Sequence, residues 1–304
     1  MNHLTRCRKA HAPPEWISEM NVTDYLDENL WRGKTYYQII TAAVADLTEF
    51  GFDSIKRVEV WTERIRNVAK ASMVPTSTLE RNLRQALTAN YIKLVTKGEV
   101  LKNHKGVPRY TLDKVKPELR AELDRRIMAS ASLIKLNRDR AVDHTLQRFA
   151  GWATSIPPDG VPAEKRQEIK TTIAKSIKQL PFEERRVIID QSHKLTGAIN
   201  NIVATNGGAI AAVWHSHWRE INYDYRKQHK ERDQKVYALK GNWAIEKGLM
   251  NKGAGFYEDM DAVGQEPFCR CYVTYLYHLR SLPNDMLTEK GREMLAEVRK
   301  QLET

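Results

Sequence analysis

Cysteine is scarce: the chain holds only three, Cys7, Cys269 and Cys271. An odd, sparse count is a poor basis for a disulfide-stapled secreted scaffold and fits a reducing compartment. No apolar run approaches the roughly 18 residues of a membrane-spanning helix, so no membrane association is expected. The opening stretch MNHLTRCRKAHAPPEW lacks the apolar core of a signal peptide. Glycine (15) and proline (11) are too few in 304 residues for a collagen-like chain. Catalytic signatures are missing too. There is no Walker motif, no dinucleotide-binding glycine fingerprint, no GxSxG and no HExxH, and the expectation is that the protein is not an enzyme.

What is present is a polar globular composition, 41% hydrophobic and 29% charged, with a mean hydropathy of −0.58. The length of 304 residues suggests about two domains. The net charge is +11 and the pI about 9.4, which suits a polyanionic partner without naming one. The surplus is uneven. Residues 81–120 hold ten bases against three acids, a local excess of seven. Arg81, Arg84, Lys93, Lys97, Lys102, Lys105 and Arg109 lead that stretch and are the candidate nucleic-acid contacts, a double-stranded DNA surface in one reading and a solvated face in the other.

The apolar spacing predicts a mainly α protein: a helical N-terminal region with a long central helix, then a smaller α+β C-terminal domain. Residues 1–34 read as an N-terminal arm. The helical region is assigned to 35–155 and the C-terminal domain to 163–304. Helices are predicted from about Thr35 to Phe50, from Ser54 to Ala71, and from Ser77 to about Asn90. IKLVT (92–96) and RYTL (109–112) read as short strands joined by a basic loop. Helix, helix and a strand pair resemble a winged helix-turn-helix, with residues 97–108 as the wing. The competing reading is a helical subdomain with a hairpin and no DNA role.

From Pro117 to Trp152 the chain reads as one long helix. About 36 residues would reach roughly 54 Å, which suggests a spine or a surface for self-association. SIPPDGVPAEK (155–165) is the clearest linker. Helices are expected at about 163–179 and 182–195, with Pro181 in the first turn of the second. GAINNIVATNGGAIAAVW (197–214) reads as a buried helix, or two broken at Gly207–Gly208. Twelve aromatic residues then crowd the last hundred positions.

Chemistry-bearing residues concentrate there as well. His215, His217 and His229 lie within fifteen residues of one another, and Cys269 and Cys271 share the run PFCRCYVTYLYHLR. That run alternates like a strand, so both cysteines face one side. Two same-side thiolates with His217 and His229 make a candidate Cys2His2 zinc site. The other reading makes the cysteines small buried apolar residues. His217, Glu220, Asp224, His229 and Asp233 also form a candidate metal-dependent nuclease cluster, though their charge pattern suits a solvated helix equally well.

The order of elements in this segment is specific. Arg219, Arg226 and His229 come first, then the run from His229 to Asp233, then an apolar strand at Val236–Leu239. GAGFYEDM (253–260) and GQEPFCRCYV (264–273) follow. This resembles the phage head-morphogenesis family, the Mu F-like minor head proteins, over roughly residues 210–280. Two departures stand out. Gln234 occupies the place where the family usually has glycine after the aspartate, and WAIEKGLMNKG is inserted before the cysteines. A glycine at positive φ replaced by glutamine would strain the turn or change it. The resemblance implies a virion component of the head, assembled in the host cytoplasm and present in few copies. It implies association with the portal or major capsid protein, contact of some members with packaged DNA, and no catalysis. The histidines and cysteines, His217 and His229 with Cys269 and Cys271, would then hold the small C-terminal fold together around a metal.

Overall fold

The computed structural model describes residues 35–52, 54–157 and 161–303. The predicted arm at 1–34 and part of the 155–165 linker lie outside the described residues. The fold is mainly α, with a long central helix and a small three-stranded antiparallel sheet near the C-terminus. No helix among the described residues is long and apolar enough to cross a membrane.

The chain divides into two compact units. The first takes the described residues from Thr35 to Thr76 and from Ile134 to Glu184. Its helix α1 (Tyr36–Phe50) starts on a capping box, in which Thr35 accepts from the Gln38 N–H while the Gln38 side chain accepts from the Thr35 N–H. It ends at Gly51, whose φ of 69° favours glycine. Ile39, Ile40, Ala42, Ala43, Val44 and Leu47 are all fully buried. A helix apolar over so much of its surface has to sit inside a core. Helix α2 (Ile55–Ser72), capped by Ser54, brings Trp61, Ile65 and Ala69 to that core. Phe149 from helix α4 (Arg109–Ala153) and Ile173 and Ile177 from helix α5 (Ala163–Asn206) complete it. Two buried polar knots run through the apolar mass. Asp46 accepts from the Trp61 indole at 2.7 Å and from Arg57 at 3.1 Å. Arg138 donates to Glu184 at 2.6 Å and to Thr76 at 3.0 Å.

The second unit takes Ser77–Leu133 and Arg185–Thr304. Helix α3 (Thr76–Tyr91) buries Leu79, Leu83 and Leu87 at a spacing of four. The predicted strand at 92–96 is instead a π-helical continuation, with the Lys97 N–H bonded to the Ile92 carbonyl at 2.9 Å. The predicted strand at 109–112 is the first turn of α4. The hairpin is therefore absent, and so is the wing. Leu112, Val115, Leu119 and Leu123 are buried at helical intervals, a stripe that already begins before Pro117. Residues 97–108 are anchored by buried Val100, His104 and Val107 rather than projecting.

Pro181 was expected to start a helix and lies inside α5 instead. A proline removes one backbone donor. Buried Leu180 and Glu184 on either side hold the helix through that gap. The helix stops at Gly207–Gly208, where a Cβ on Gly207 would meet Val107 Cγ2 at 2.7 Å. The predicted second half of that segment is strand β1 (Ala211–His215). β1 is the central strand, flanked by β2 (Val236–Ala238) and β3 (Tyr272–Leu276) in the order β2-β1-β3. Ala212 pairs with Tyr237 on one side and Tyr275 on the other. Period-2 alternation sends Ala212, Trp214, Tyr237 and Tyr275 into one core and Ala211 and Ala238 into another. Both faces of the small sheet are thus covered.

Candidate functional site

β1 ends at His215, and the connection to β2 carries the short helix α6 (Lys227–Glu231). His229 lies on the inward face of α6 and is 3% exposed. Its ring meets the Trp214 ring edge-on at 5.5 Å. The chain returns to β2 through Asp233 and Gln234. Asp233 accepts the Ser216 N–H and the Trp218 indole N–H, each at 2.8 Å. Burial raises the Asp233 carboxyl, but these donors and Arg219 outweigh it and hold the group below the usual carboxylate range. Gln234 has a φ of 63° and its N–H bonds to the Trp214 carbonyl at 2.7 Å. The glutamine therefore adopts the left-handed conformation that glycine takes without strain.

Cys269 and Cys271 sit on the extended lead into β3, alternating with exposed Arg270 and Tyr272. Phe268, at a φ of 60°, turns the chain into this lead, and Asp190 accepts its N–H at 2.7 Å. Both cysteines are buried and neither forms a disulfide. The Nδ1 of His229 lies 3.7 Å from the Cys269 sulfur and 3.6 Å from the Cys271 sulfur. All three atoms fall within 4.8 Å of one another. Bond lengths of about 2.3 Å to sulfur and 2.05 Å to nitrogen put the ligand atoms of a tetrahedral zinc roughly 3.6 Å apart for S···N. The observed spacing is compatible with a metal ion held by these three residues.

The electrostatics favour thiolate at Cys269 and thiol at Cys271. Cys269 is held down at about 5, first by the hydrogen bond from Cys271, against burial, with the N–H groups of Gly264 and Cys271 and nearby His229 adding to it. The Cys271 thiol is pushed up, chiefly because it donates to Cys269 and because it is buried. One thiolate and one thiol thus share a proton that a cation would displace. The Cys271 sulfur also lies 3.9 Å from the Ser216 hydroxyl. His193 donates to the Cys271 carbonyl at 3.1 Å.

Of the four ligands read from the sequence, His229, Cys269 and Cys271 come together. His217 stands apart, half-buried, 3.9 Å from Glu220. The carboxylates of the nuclease reading do not converge either: Glu220 and Asp224 are exposed, and Asp233 is occupied by its donors. The sequence reading missed Asp190, His193, Ser216 and Gly264. Asp190 and His193 lie on α5, nearly eighty residues before the cysteines, and nothing in their local pattern signals the contact.

The seven basic candidates, Arg81, Arg84, Lys93, Lys97, Lys102, Lys105 and Arg109, are all exposed. Lys93 pairs with Glu99 at 3.8 Å, and Arg109 with Asp113 at 3.4 Å and with the Thr96 carbonyl at 2.9 Å. Arg81, Arg84, Lys97, Lys102 and Lys105 make no ion pair among the described residues.

A scan against protein-family models, a search of curated proteins and a search of solved structures each returned no match.

Proposed function

We propose that the protein is a structural component of a phage head, a minor head protein whose C-terminal domain is stapled by zinc on His229, Cys269 and Cys271. The observation that carries this reading is convergence. The residues of the family-like order, separated by forty positions between His229 and Cys269, meet at 3.6–3.7 Å around one point. The aspartate of the same order closes the turn, and the residue after it takes a glycine-like φ of 63°. Two cysteine sulfurs and an imidazole in a buried pocket suit zinc over magnesium or calcium, which prefer oxygen.

In this reading the metal is a staple. Sheet β2-β1-β3 has one strand of three residues and two of five, too little on its own to be stable. A metal tying α6 to the lead of β3 fixes the β1–β2 connection to the entry of the other neighbouring strand. The helical parts, with the long α4, serve assembly on the portal or major capsid protein and self-association. Arg81, Arg84, Lys97, Lys102 and Lys105, which make no ion pair among the described residues, face packaged double-stranded DNA.

An inventory of purified virions by mass spectrometry tests the proposal. The expected result is the protein at a few copies per particle; absence from virions and procapsids removes it. Replacing Lys97, Lys102 and Lys105 by glutamate is expected to weaken duplex binding and flatten its salt dependence. Unchanged binding removes the DNA contact alone.

A further inference from the structure

Three protein ligands leave a tetrahedral ion one position short. The surroundings narrow what fills it. His215 has both ring nitrogens engaged, Nδ1 with Gln234 at 3.1 Å and Nε2 with Thr274 at 3.0 Å, and it stacks on Tyr272. His193 is committed to the Cys271 carbonyl. Asp190 accepts from Phe268 and pairs with Lys194 at 3.1 Å. Asp233 holds the Ser216 and Trp218 donors.

His217 is different. It directly follows Ser216, whose hydroxyl lies 3.9 Å from the Cys271 sulfur, so its backbone stands beside the triad. Its ring makes no hydrogen bond among the described residues. The nearest polar group is Glu220 at 3.9 Å, and its other neighbours are the edges of Tyr223 and Tyr272, with ring centres 6.4 and 6.2 Å away. Neither contact fixes the side chain against a rotation.

We infer that His217 turns in to become the fourth ligand when the metal binds, closing the site as Cys2His2. The inference rests on the zinc reading above and completes it. A closed site keeps no position for water, so the ion holds structure and does not activate a nucleophile. Closure also draws the connection that starts at Ser216 toward β3. That connection carries Trp218 and Tyr225, with the Lys230 ammonium 4.2 Å and 5.5 Å from their rings. Metal binding thereby sets the conformation of an exposed aromatic and basic surface.

The test uses the full chain, stripped with chelator and reloaded with cobalt(II) as a visible substitute for zinc. The wild type is expected to bind one ion per chain with the intense visible bands of four-coordinate cobalt. His217→Ala, at a half-exposed position that tolerates truncation, is expected to bind at least ~10-fold more weakly and to lose that band pattern. His217→Cys is expected to restore the closed geometry and add thiolate charge-transfer absorption. A His217→Ala protein with wild-type affinity and spectrum overturns the fourth ligand and leaves the triad standing. A wild-type chain that binds no cobalt overturns both.

Discussion

The two units keep their shape by different means. In the first, α1 is buried along most of its length, and the polar groups inside are pairs enclosed by apolar side chains, Asp46 with Arg57 and Trp61, and Arg138 with Glu184 and Thr76. In the C-terminal part of the second, the helices and strands after α5 are short, apart from the last helix, and polar contacts do much of the fixing. His104 joins Asn200 to Tyr277, Asp190 ties α5 to the cysteine lead, and Asp233 closes the turn before β2. The lesson is that the first unit is specified by burial over long helices and the second by a few side chains that each act as a tie. Removing one tie in the second should loosen a local segment, whereas breaking a buried pair in the first should cost the whole unit.

The largest effect expected from a point substitution follows from that contrast. Arg138→Met strands the Glu184 carboxylate in a core, and losing one partner of a buried pair costs about 3–5 kcal/mol. Chemical denaturation should show this loss while metal binding stays unchanged. If the variant is as stable as the wild type, the burial account of the first unit is wrong.

Asp233→Asn should cost less, about 1–3 kcal/mol, because the Ser216 and Trp218 donors lose a charged acceptor. The expected signature is faster hydrogen exchange between Ser216 and Gln234, with the α1 amides unchanged. The neighbouring Gln234→Gly should act in the opposite sense. It relieves a left-handed non-glycine residue, a gain of up to about 1 kcal/mol, less what the contact with His215 contributed. A destabilised Gln234→Gly would show that the His215 bond outweighs the backbone strain.

The smallest effect concerns pH. Burial lowers the pKa of His104, partly offset by its hydrogen bond to Asn200. The neutral ring donates from Nε2 to Asn200 and accepts at Nδ1 from Tyr277, which satisfies both partners. The folded state therefore binds fewer protons than the unfolded one near and below the unperturbed value of about 6.5. Stability from this site is full above that value and falls as the pH drops through the lowered folded one. His104→Gln should flatten that acid-side slope in thermal melts. An unchanged slope would place the acid sensitivity elsewhere.

How much of this was legible in the sequence follows the same division. α1 and α2 were readable because amphipathic or apolar spacing and capping residues Thr35 and Ser54 act locally. The long central helix was readable for the same reason, although its start at Arg109 was hidden by β-branched and aromatic residues that look strand-like. The 92–96 stretch misled in the same way: its β-branched residues look strand-like, yet Val95 is buried on a π-helical continuation of α3 and Ile92 stays exposed. Pro181 misled in the other direction, since a proline signals a break that buried neighbours can bridge. At the site, the alternation of Cys269 and Cys271 exposed their shared side, and the histidines nearby named the element type. Which histidine meets the sulfurs was not legible. His229 is forty residues from Cys269, and its position depends on α6 folding back under Trp214. The ties from Asp190 and His193 have no sequence signal at all, because they arise only when α5 lies against the cysteine lead.

Native mass spectrometry of the full chain, read with thermal unfolding in the presence and absence of chelator, tests the central claim most directly. The account predicts one zinc ion per chain, lost together in the Cys269→Ser, Cys271→Ser double variant. Metal removal should melt the sheet region while the helical signal of the first unit persists, because the binding free energy of a structural zinc, about 10–16 kcal/mol in small domains, is largely folding free energy. A wild-type chain that carries no metal, and whose sheet region unfolds at the same temperature with and without chelator, would contradict it.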